Sequence, residues 1–313
     1  MRESDHTPAI EGPCAAPTGR VTHAPWWMGA VILALLAALY SPVLVRLARQ
    51  WWSDSNWSHG FVVPLFAAFL LWRQKNELAT IPVCPSWAGL GMVCGGLAIL
   101  VVGVMGAELF LSRCSLIIIL GGLVILFLGW GHFRAMLFPW LFLFLMVPLP
   151  AIVFSQITLP LQLLVSQLAS WILAAMGIPV LREGNVIQLA AMPLEVAEAC
   201  SGIRSLLSLF TLALICGYFM ESEIWKRALL AFISLPIAVA ANAARIVGTG
   251  LMVQYWDTGK AFGFFHEFSG WMIFLVSVGL LCGTRSIINR TIKRPGSRVP
   301  PQQQKAHVGC ASS

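Results

Sequence analysis

Charged residues are scarce in this sequence, and their scarcity excludes an ordinary soluble protein. Lysine, arginine, aspartate and glutamate together make up 11% of the 313 residues, whereas they make up about 25% of a typical soluble domain. Apolar residues account for 58% of the chain. A lipid bilayer is the solvent that suits this composition, so we expect a multi-pass membrane protein.

The sequence also lacks the motifs of metal and disulfide chemistry. Its eight cysteines are scattered without a CxxC pair, and its six histidines form no HExxH motif. Zinc sites and many metalloproteases depend on such spacings. We therefore predict that the protein uses neither a metal ion nor another cofactor.

Long apolar runs dominate what is present. About 20 mostly apolar residues are needed to cross a bilayer as a helix. Eight candidate runs occur, of which the second and the fifth are short: Trp27–Val45, Gly60–Trp72, Trp87–Gly106, Cys114–Gly131, Ala135–Pro148, Ile203–Phe219, Ala228–Leu251 and Phe268–Gly283. The predicted fold class is all-α, a polytopic transmembrane helix bundle of about eight spans.

The distribution of charge predicts the domain limits. From Arg285 to the end there are six lysines and arginines and no acidic residue, and basic flanks of this kind stay in the cytoplasm. We predict a cytoplasmic N-terminal tail over residues 1–26, a membrane-embedded domain over 27–285 and a basic cytoplasmic C-terminal tail over 286–313. Because the excess positive charge lies in one tail, we expect no nucleic-acid partner.

Counting the spans back from this tail predicts where three polar residues lie. The last span begins outside, with His266 at its mouth. The span before it begins beside Lys226 and Arg227 and has Arg245 near its outer end, and Cys200 directly precedes the outer start of the span before that. Three residues far apart in sequence are therefore expected at the outer face, and eight spans place the N-terminus in the cytoplasm.

Residues 151–177 are apolar enough to form a ninth span. A polar residue recurs there every four positions, which gives one polar helix face, at Thr158, Gln162, Ser166 and Ser170. We favour an interfacial or partly inserted helix beside the active face. For the following residues, 178–199, we predict an outer loop with a short hairpin.

Cys200 is the candidate nucleophile. It stands at the start of an apolar helix, where backbone N–H groups carry partial positive charge and favour the thiolate. Glu198, Ser201, Gly202 and Arg204 surround it in sequence and are the supporting candidates. The alternative is a small buried thiol used in packing.

Arg245 and His266 are the candidates for the other two roles. An arginine inside a span is energetically costly, and its donors suit a developing oxyanion; Asn242 lies three residues earlier on the same helix face. His266, next to Glu267, suits general acid–base chemistry. The alternatives are a snorkelling cation and an interfacial histidine.

These residues stand in segments that resemble the signatures of the exosortase/archaeosortase family. The segments are EACSGIRS around Cys200, NAAR ending at Arg245, HEFSG starting at His266 and WSDSNWSHGFVVP around His59. They occur in the expected order, and the resemblance covers roughly residues 30–285. His59 is expected either to support the site or to help a helix begin, with Ser58 as its cap.

The resemblance implies an enzyme of the bacterial inner membrane with its active site facing the periplasm. Such enzymes are thought to cleave secreted proteins that end in a short motif, a membrane helix and a basic cluster, and to transfer the new C-terminus to an acceptor. Cys200 would be the nucleophile, Arg245 the transition-state stabiliser and His266 the acid/base. The expected partners are these protein substrates and membrane lipid.

Two other classes of function also fit a polytopic protein. A transporter for an anionic solute would use Arg245 as its anion site, and an envelope-export scaffold would perform no covalent chemistry. Transporters often contain related halves with broken helices, and no internal repeat is visible in this sequence.

Overall fold

The computed structural model describes residues 26–196, 203–255 and 264–291, with helix as the main secondary structure. The chain divides into two compact units, residues 1–163 and 164–313. In the described part of the chain, seven helices are long and apolar enough to cross a membrane. The prediction of an all-α transmembrane bundle with about eight spans is confirmed.

The first unit consists of helices and short helical turns. Its elements in chain order are α1 (Trp26–Ser53), a 3-10 helix (Ser55–Phe61), α2 (Val62–Arg73), α3 (Lys75–Thr80), α4 (Ala88–Met105), α5 (Leu109–Phe127), α6 (Trp130–Ala135), α7 (Leu137–Phe142), a second 3-10 helix (Leu143–Met146) and the first half of α8 (Ala151–Ala175). The short runs predicted at Gly60–Trp72 and Ala135–Pro148 correspond to α2 and α7, which are too short to be counted among the seven long helices.

Helix α8 differs from our expectation of an interfacial helix. Its 25 residues are about 38 Å long, more than the roughly 30 Å hydrocarbon core of a bilayer. Thr158, Gln162 and Ser166 are buried within the protein. These three residues of the polar stripe therefore face protein rather than lipid headgroups, whereas Ser170 is half-buried. The helix meets the length and composition of a span.

Glycines bring α4 and α5 into close contact. A β-carbon added at Gly89 would lie 2.2 Å from the backbone nitrogen of Leu126, and one at Gly103 would lie 2.6 Å from the Ser112 hydroxyl oxygen. Gly96 lies midway between these two glycines and faces Ile119. Small residues allow helix backbones to approach closely in lipid, so this seven-residue glycine spacing forms the seam of an antiparallel hairpin.

The second unit contains the rest of α8, a small sheet and three long helices. Its strands are β1 (Val180–Glu183), β2 (Val186–Leu189) and β3 (Pro193–Glu195), and its further helices are α9 (Ile203–Met220), α10 (Ile224–Tyr255) and α11 (Phe264–Thr291). The sheet is antiparallel in the order β1-β2-β3. The hairpin predicted between residues 178 and 199 is confirmed, and the structure adds a third strand.

Helices α9, α10 and α11 pack around a shared apolar core. The core consists of Leu209, Ala213, Leu230, Ala238 and Leu281. At one end of these helices, Glu221 lies in the connection between α9 and α10 and accepts hydrogen bonds from Arg285 at 2.7 Å and Asn289 at 2.8 Å. The C-terminal end of α11 is thereby joined to the end of α9, so α11 begins at the end where α9 begins and α10 finishes.

Candidate active site

The structure describes some of the predicted site residues and not others. Cys200 and its neighbours Glu198, Ser201 and Gly202 lie outside the described residues. His266 and Glu267 occupy backbone positions in the first turn of α11, and their side chains lie outside the described part of the chain.

Arg245 lies on α10 with its guanidinium against Gly270 of α11. A β-carbon added at Gly270 would lie 3.2 Å from both Cζ and Nη2 of Arg245. Position 270 is four residues after position 266, which is one turn further along the same face of the helix. The structure therefore brings Arg245 to the face of α11 to which position 266 belongs.

The level of Arg245 along the bundle follows from one close contact. A β-carbon at Gly217 of α9 would lie 3.3 Å from Cα of Arg227 of α10. Ile203 lies 14 residues before Gly217, and Arg245 lies 18 residues after Arg227. At 1.5 Å per residue these stretches are about 21 and about 27 Å long. Since the helices are antiparallel, Arg245 lies about one turn beyond the first residue of α9.

The supporting candidates Asn242 and Arg204 differ in burial. Asn242 is 3% exposed and belongs to the inward stripe of α10, with Ala238 and Ile246. Arg204 is exposed as the second residue of α9. Asn242 therefore lies inside the bundle, whereas Arg204 is not enclosed by it.

The small sheet lies at the same end of the second unit as Arg245. Gly250 of α10 faces Leu173 of α8 and Leu189 of β2, since a β-carbon there would lie 3.1 and 3.7 Å from their side chains. The Ser166 hydroxyl donates to the Gly184 carbonyl in the hairpin turn at 3.0 Å. The stripe residue Ser166 therefore attaches the hairpin to α8.

His59 lies in the first unit, in the 3-10 helix Ser55–Phe61. Its Nδ1 atom is buried, and its ring centroid lies 5.9 Å from that of Trp57. Burial lowers the pKa of His59 below its ordinary value, and the backbone carbonyls of Leu145 and Asn56 oppose this shift. A neutral imidazole packed beside an aromatic ring is the result.

The cap of this 3-10 helix is not the residue we expected. The Asp54 side chain accepts a hydrogen bond from the Asn56 N–H at 2.9 Å and serves as the N-cap. The Ser58 hydroxyl donates to the Ser55 carbonyl at 3.1 Å instead. An aspartate at the cap accepts from an otherwise unpaired backbone donor, and Ser58 is already inside the turn.

Sequence reasoning missed two features. Gly270 stands in the HEFSG segment, four residues after His266, and only the packing reveals that it admits Arg245. Arg113 is 3% exposed within α5, and an arginine buried in a span indicates a functional site by default. Our predicted run began at Cys114, so its boundary hid Arg113.

The described side chains form no group that could hold a metal ion: three or more histidine, cysteine, aspartate or glutamate residues do not come together among them. What the described side chains do contribute to the site is the Arg245 guanidinium, a fixed cation beside α11.

Comparison with known proteins gives one match. Residues 51–283 match the family model of the transmembrane exosortase, a range that is well over half of the chain and includes positions 59, 200, 245 and 266. No curated protein matches the chain, and no solved structure does.

Proposed function

The chain belongs to the transmembrane exosortase family, a family of membrane transpeptidases that sort proteins, and from that premise we propose that it is a cysteine protease/transpeptidase. Its substrates are secreted proteins that end in a short motif, a membrane helix and a basic cluster. It cleaves this sorting signal and transfers the new C-terminus to an acceptor.

The observation that supports this proposal best is the position of Arg245. Its guanidinium lies against Gly270, one turn after position 266 on α11, and about one turn beyond the start of α9, which begins three residues after Cys200. A guanidinium presents a planar fork of donors and stays charged. Such a fixed cation suits the oxyanion of an acyl-transfer reaction.

The proposed reaction proceeds in two steps. The Cys200 thiolate attacks the scissile carbonyl carbon, and Arg245 donates hydrogen bonds to the oxyanion. When the C–N bond breaks, the His266 imidazolium protonates the leaving amine, and a thioester remains on Cys200. An acceptor nucleophile then attacks the thioester carbonyl and gives its proton to His266, the C–S bond breaks, and the thiolate is restored.

The length of α10 supports a site at the outer interface of the bacterial inner membrane. Lys226 and Arg227 stand at its start, and Arg245 follows about 27 Å later, which is close to the roughly 30 Å thickness of the hydrocarbon core. With these two cations in the cytoplasm, as basic flanks prefer, Arg245 reaches the periplasmic boundary. The C-terminus, at the far end of α11, is then cytoplasmic, whereas counting α8 as a further span places the N-terminus on the outer side.

Replacement of the nucleophile tests this proposal. The Cys200→Ala variant should accumulate in the membrane and leave a substrate of the same organism at its uncleaved mass. Cys216→Ala is the matched control, because it makes the same substitution at another cysteine, which is half-buried in α9. Normal processing by Cys200→Ala would rule out the thioester and favour a transporter or a scaffold.

The intermediate can be trapped independently. Hydroxylamine attacks thioesters, so its addition to membranes with the wild-type protein should yield substrate that ends in a hydroxamic acid, detected by mass spectrometry. The same treatment of Cys200→Ala membranes should yield none. A hydroxamate product that forms without Cys200 would contradict the proposed nucleophile.

A further inference from the structure

The strand β1 has an unpaired edge. In the sheet order β1-β2-β3, β1 pairs with β2 on one side, and no strand of residues 26–196, 203–255 or 264–291 pairs with its other side. Its cross-strand partner pairs include Glu183 with Val186, directly across the two-residue turn Gly184–Asn185. An edge of this kind presents backbone donors and acceptors to another extended chain.

The hairpin geometry identifies the groups on this edge. In a two-residue hairpin the residues that flank the turn form a hydrogen-bonded pair, and such pairs alternate along an antiparallel ladder. The backbone groups of Glu183 and Leu181 therefore point to β2. Those of Val180 and Arg182 point away from it, to the open edge.

The open edge of β1 borders a groove between this strand and α8. The groove has a volume of about 610 Å³, which is within the range of ligand sites in proteins. It is lined by Val180 and Arg182 of the strand and by one surface of the helix: Leu164, Gln167, Leu168, Ser170, Trp171 and Ala174. From Leu164 to Ala174 this helix surface extends about 15 Å, the length of an extended peptide of four or five residues.

The groove continues the buried face of the sheet. Val180 pairs with Leu189 and Arg182 pairs with Ile187, and both β2 residues are buried. Paired residues point to the same face, so an added strand would place alternate side chains on the helix surface beside Trp171, which is 72% exposed. Such a strand would extend the existing packing.

The other edge of the sheet is less suited to strand addition. The edge strand β3 has three residues and begins with Pro193, which has no N–H to donate. The N–H of Val196, just after β3, donates to the Asn185 carbonyl at 2.9 Å, so the alternation of an antiparallel ladder directs the backbone of Leu194 to β2 and that of Pro193 to the outer edge. Short strands and prolines protect an edge from pairing, whereas the outward positions of β1, Val180 and Arg182, both carry an N–H.

Charge further defines the occupant. Arg182 lies in the groove, and its Nη1 atom donates to the Gly184 carbonyl at 2.8 Å, which leaves the other guanidinium donors available to a ligand. A strand paired with β1 would place one side chain directly opposite Arg182 on the same face. Opposite charges stabilise such cross-strand pairs, so a carboxylate is favoured at that position.

We infer that the groove between β1 and α8 binds an extended segment of the polypeptide substrate as an added β-strand, with a substrate carboxylate paired to Arg182. The inference rests on the proposed function, because it names the substrate-docking surface of the same enzyme. The sheet lies at the end of the second unit that also contains Arg245, so a segment held there is presented to the proposed site.

Photo-crosslinking tests the docking without requiring chemistry. A benzoylphenylalanine at position 171 in the Cys200→Ala variant should form an adduct with the substrate segment just before its membrane helix, identified by mass spectrometry. The matched control is the same probe at Trp225, which is exposed on α10 at the other end of the helices α9–α11. Adducts with phospholipid alone, or equal substrate adducts from both positions, would overturn the inference.

Substitutions in β1 test the same contact through turnover. Arg182→Glu should lower kcat/KM roughly tenfold or more by raising KM, as expected for loss of a charge-assisted pair. A substrate whose acidic residue is changed to lysine should restore the kcat/KM of this variant. Val180→Pro removes an outward N–H and should act similarly. Glu183→Gln, on the opposite face of β1, should leave kcat/KM unchanged.

The outcomes separate this inference from the proposed function. If Cys200→Ala still cleaves, the thioester mechanism fails, and the crosslink at position 171 still reports on docking. A second outcome is that cleavage requires Cys200, while Arg182→Glu and Val180→Pro both accumulate normally and retain the wild-type KM. In that case the docking inference is overturned and the proposed enzymatic function stands.

Discussion

Helices α4 and α5 of the first unit and helices α10 and α11 of the second unit both approach each other across glycine, but different atoms fill the space beside the glycines. At Gly89 the nearest atoms are the backbone nitrogen of Leu126 and the carbonyl oxygen of Gly122, at 2.2 and 2.5 Å from an added β-carbon. At Gly270 they are the guanidinium atoms of Arg245.

The difference shows why a glycine in a membrane helix does not by itself indicate a site. Helices in lipid associate mainly through packing, and small residues make the packing close, which explains Gly89 fully. A cation inside a span costs at least about 2.5 kcal/mol on insertion scales. The room that Gly270 leaves is therefore occupied by a group whose presence packing alone does not explain.

The largest expected effect on processing is that of Arg245→Lys. Lysine keeps the charge but replaces the planar fork with a single ammonium, so stabilisation of an oxyanion should fall and processing should slow by about 100-fold or more. The rate of substrate cleavage in membranes measures this. Arg134→Lys, at an exposed position of α6, is the control, and near-normal cleavage by Arg245→Lys would make Arg245 a snorkelling cation.

Gly89→Ala should have the largest effect on stability. The added β-carbon would collide with backbone, which cannot move aside as a side chain can, so α4 and α5 must separate at a cost of about 1–3 kcal/mol. Thermal unfolding in detergent measures the loss, and cleavage per folded molecule should stay normal. Gly95→Ala, with nothing within 4 Å of an added β-carbon, should unfold at the wild-type temperature or above; equal melting of the two variants would refute the packing role.

Gly270→Ala should lower the rate of processing rather than the stability, and the loss of rate should be smaller than that of Arg245→Lys. The added β-carbon meets the flexible end of Arg245 at 3.2 Å, so the guanidinium shifts and the helices need not. We expect a loss of processing of several fold, about 1 kcal/mol of transition-state stabilisation, with little change in unfolding temperature. Gly279→Ala, on the same helix with open space around it, is the control. A loss of stability without a loss of rate would make Gly270 a packing residue like Gly89.

The smallest expected effect concerns His59, a half-buried residue of the first unit whose Nδ1 atom is buried. Because burial lowers its pKa in the folded state below the ordinary value of 6.5, protonation favours unfolding. The contribution of the neutral His59 side chain to the free energy of unfolding is complete above about pH 6.5 and declines as the pH falls towards the folded-state pKa. His59→Gln should flatten the dependence of unfolding temperature on pH in this range, and an unchanged profile would show that another group titrates.

Much of the fold could be predicted because the amino-acid composition and the length of the apolar runs show directly whether lipid or water surrounds the chain. The long apolar runs around α1, α4, α5, α9, α10 and α11 met the length that a bilayer demands. Helix α8 was misjudged because a polar stripe has the same spacing whether it faces protein or headgroups. Only the burial of Thr158 and Gln162 distinguishes the two.

The sequence by itself determined the membrane environment, the helical class and the family, because hydrophobic run length, charge scarcity and short motifs are local properties of the chain. Tertiary structure alone decided that Gly270 admits Arg245, that Asp54 rather than Ser58 caps a turn, and that β1 keeps an open edge beside α8. Each of these depends on atoms that are distant in sequence or on the exact backbone path, and neither is encoded in the spacing of residue types.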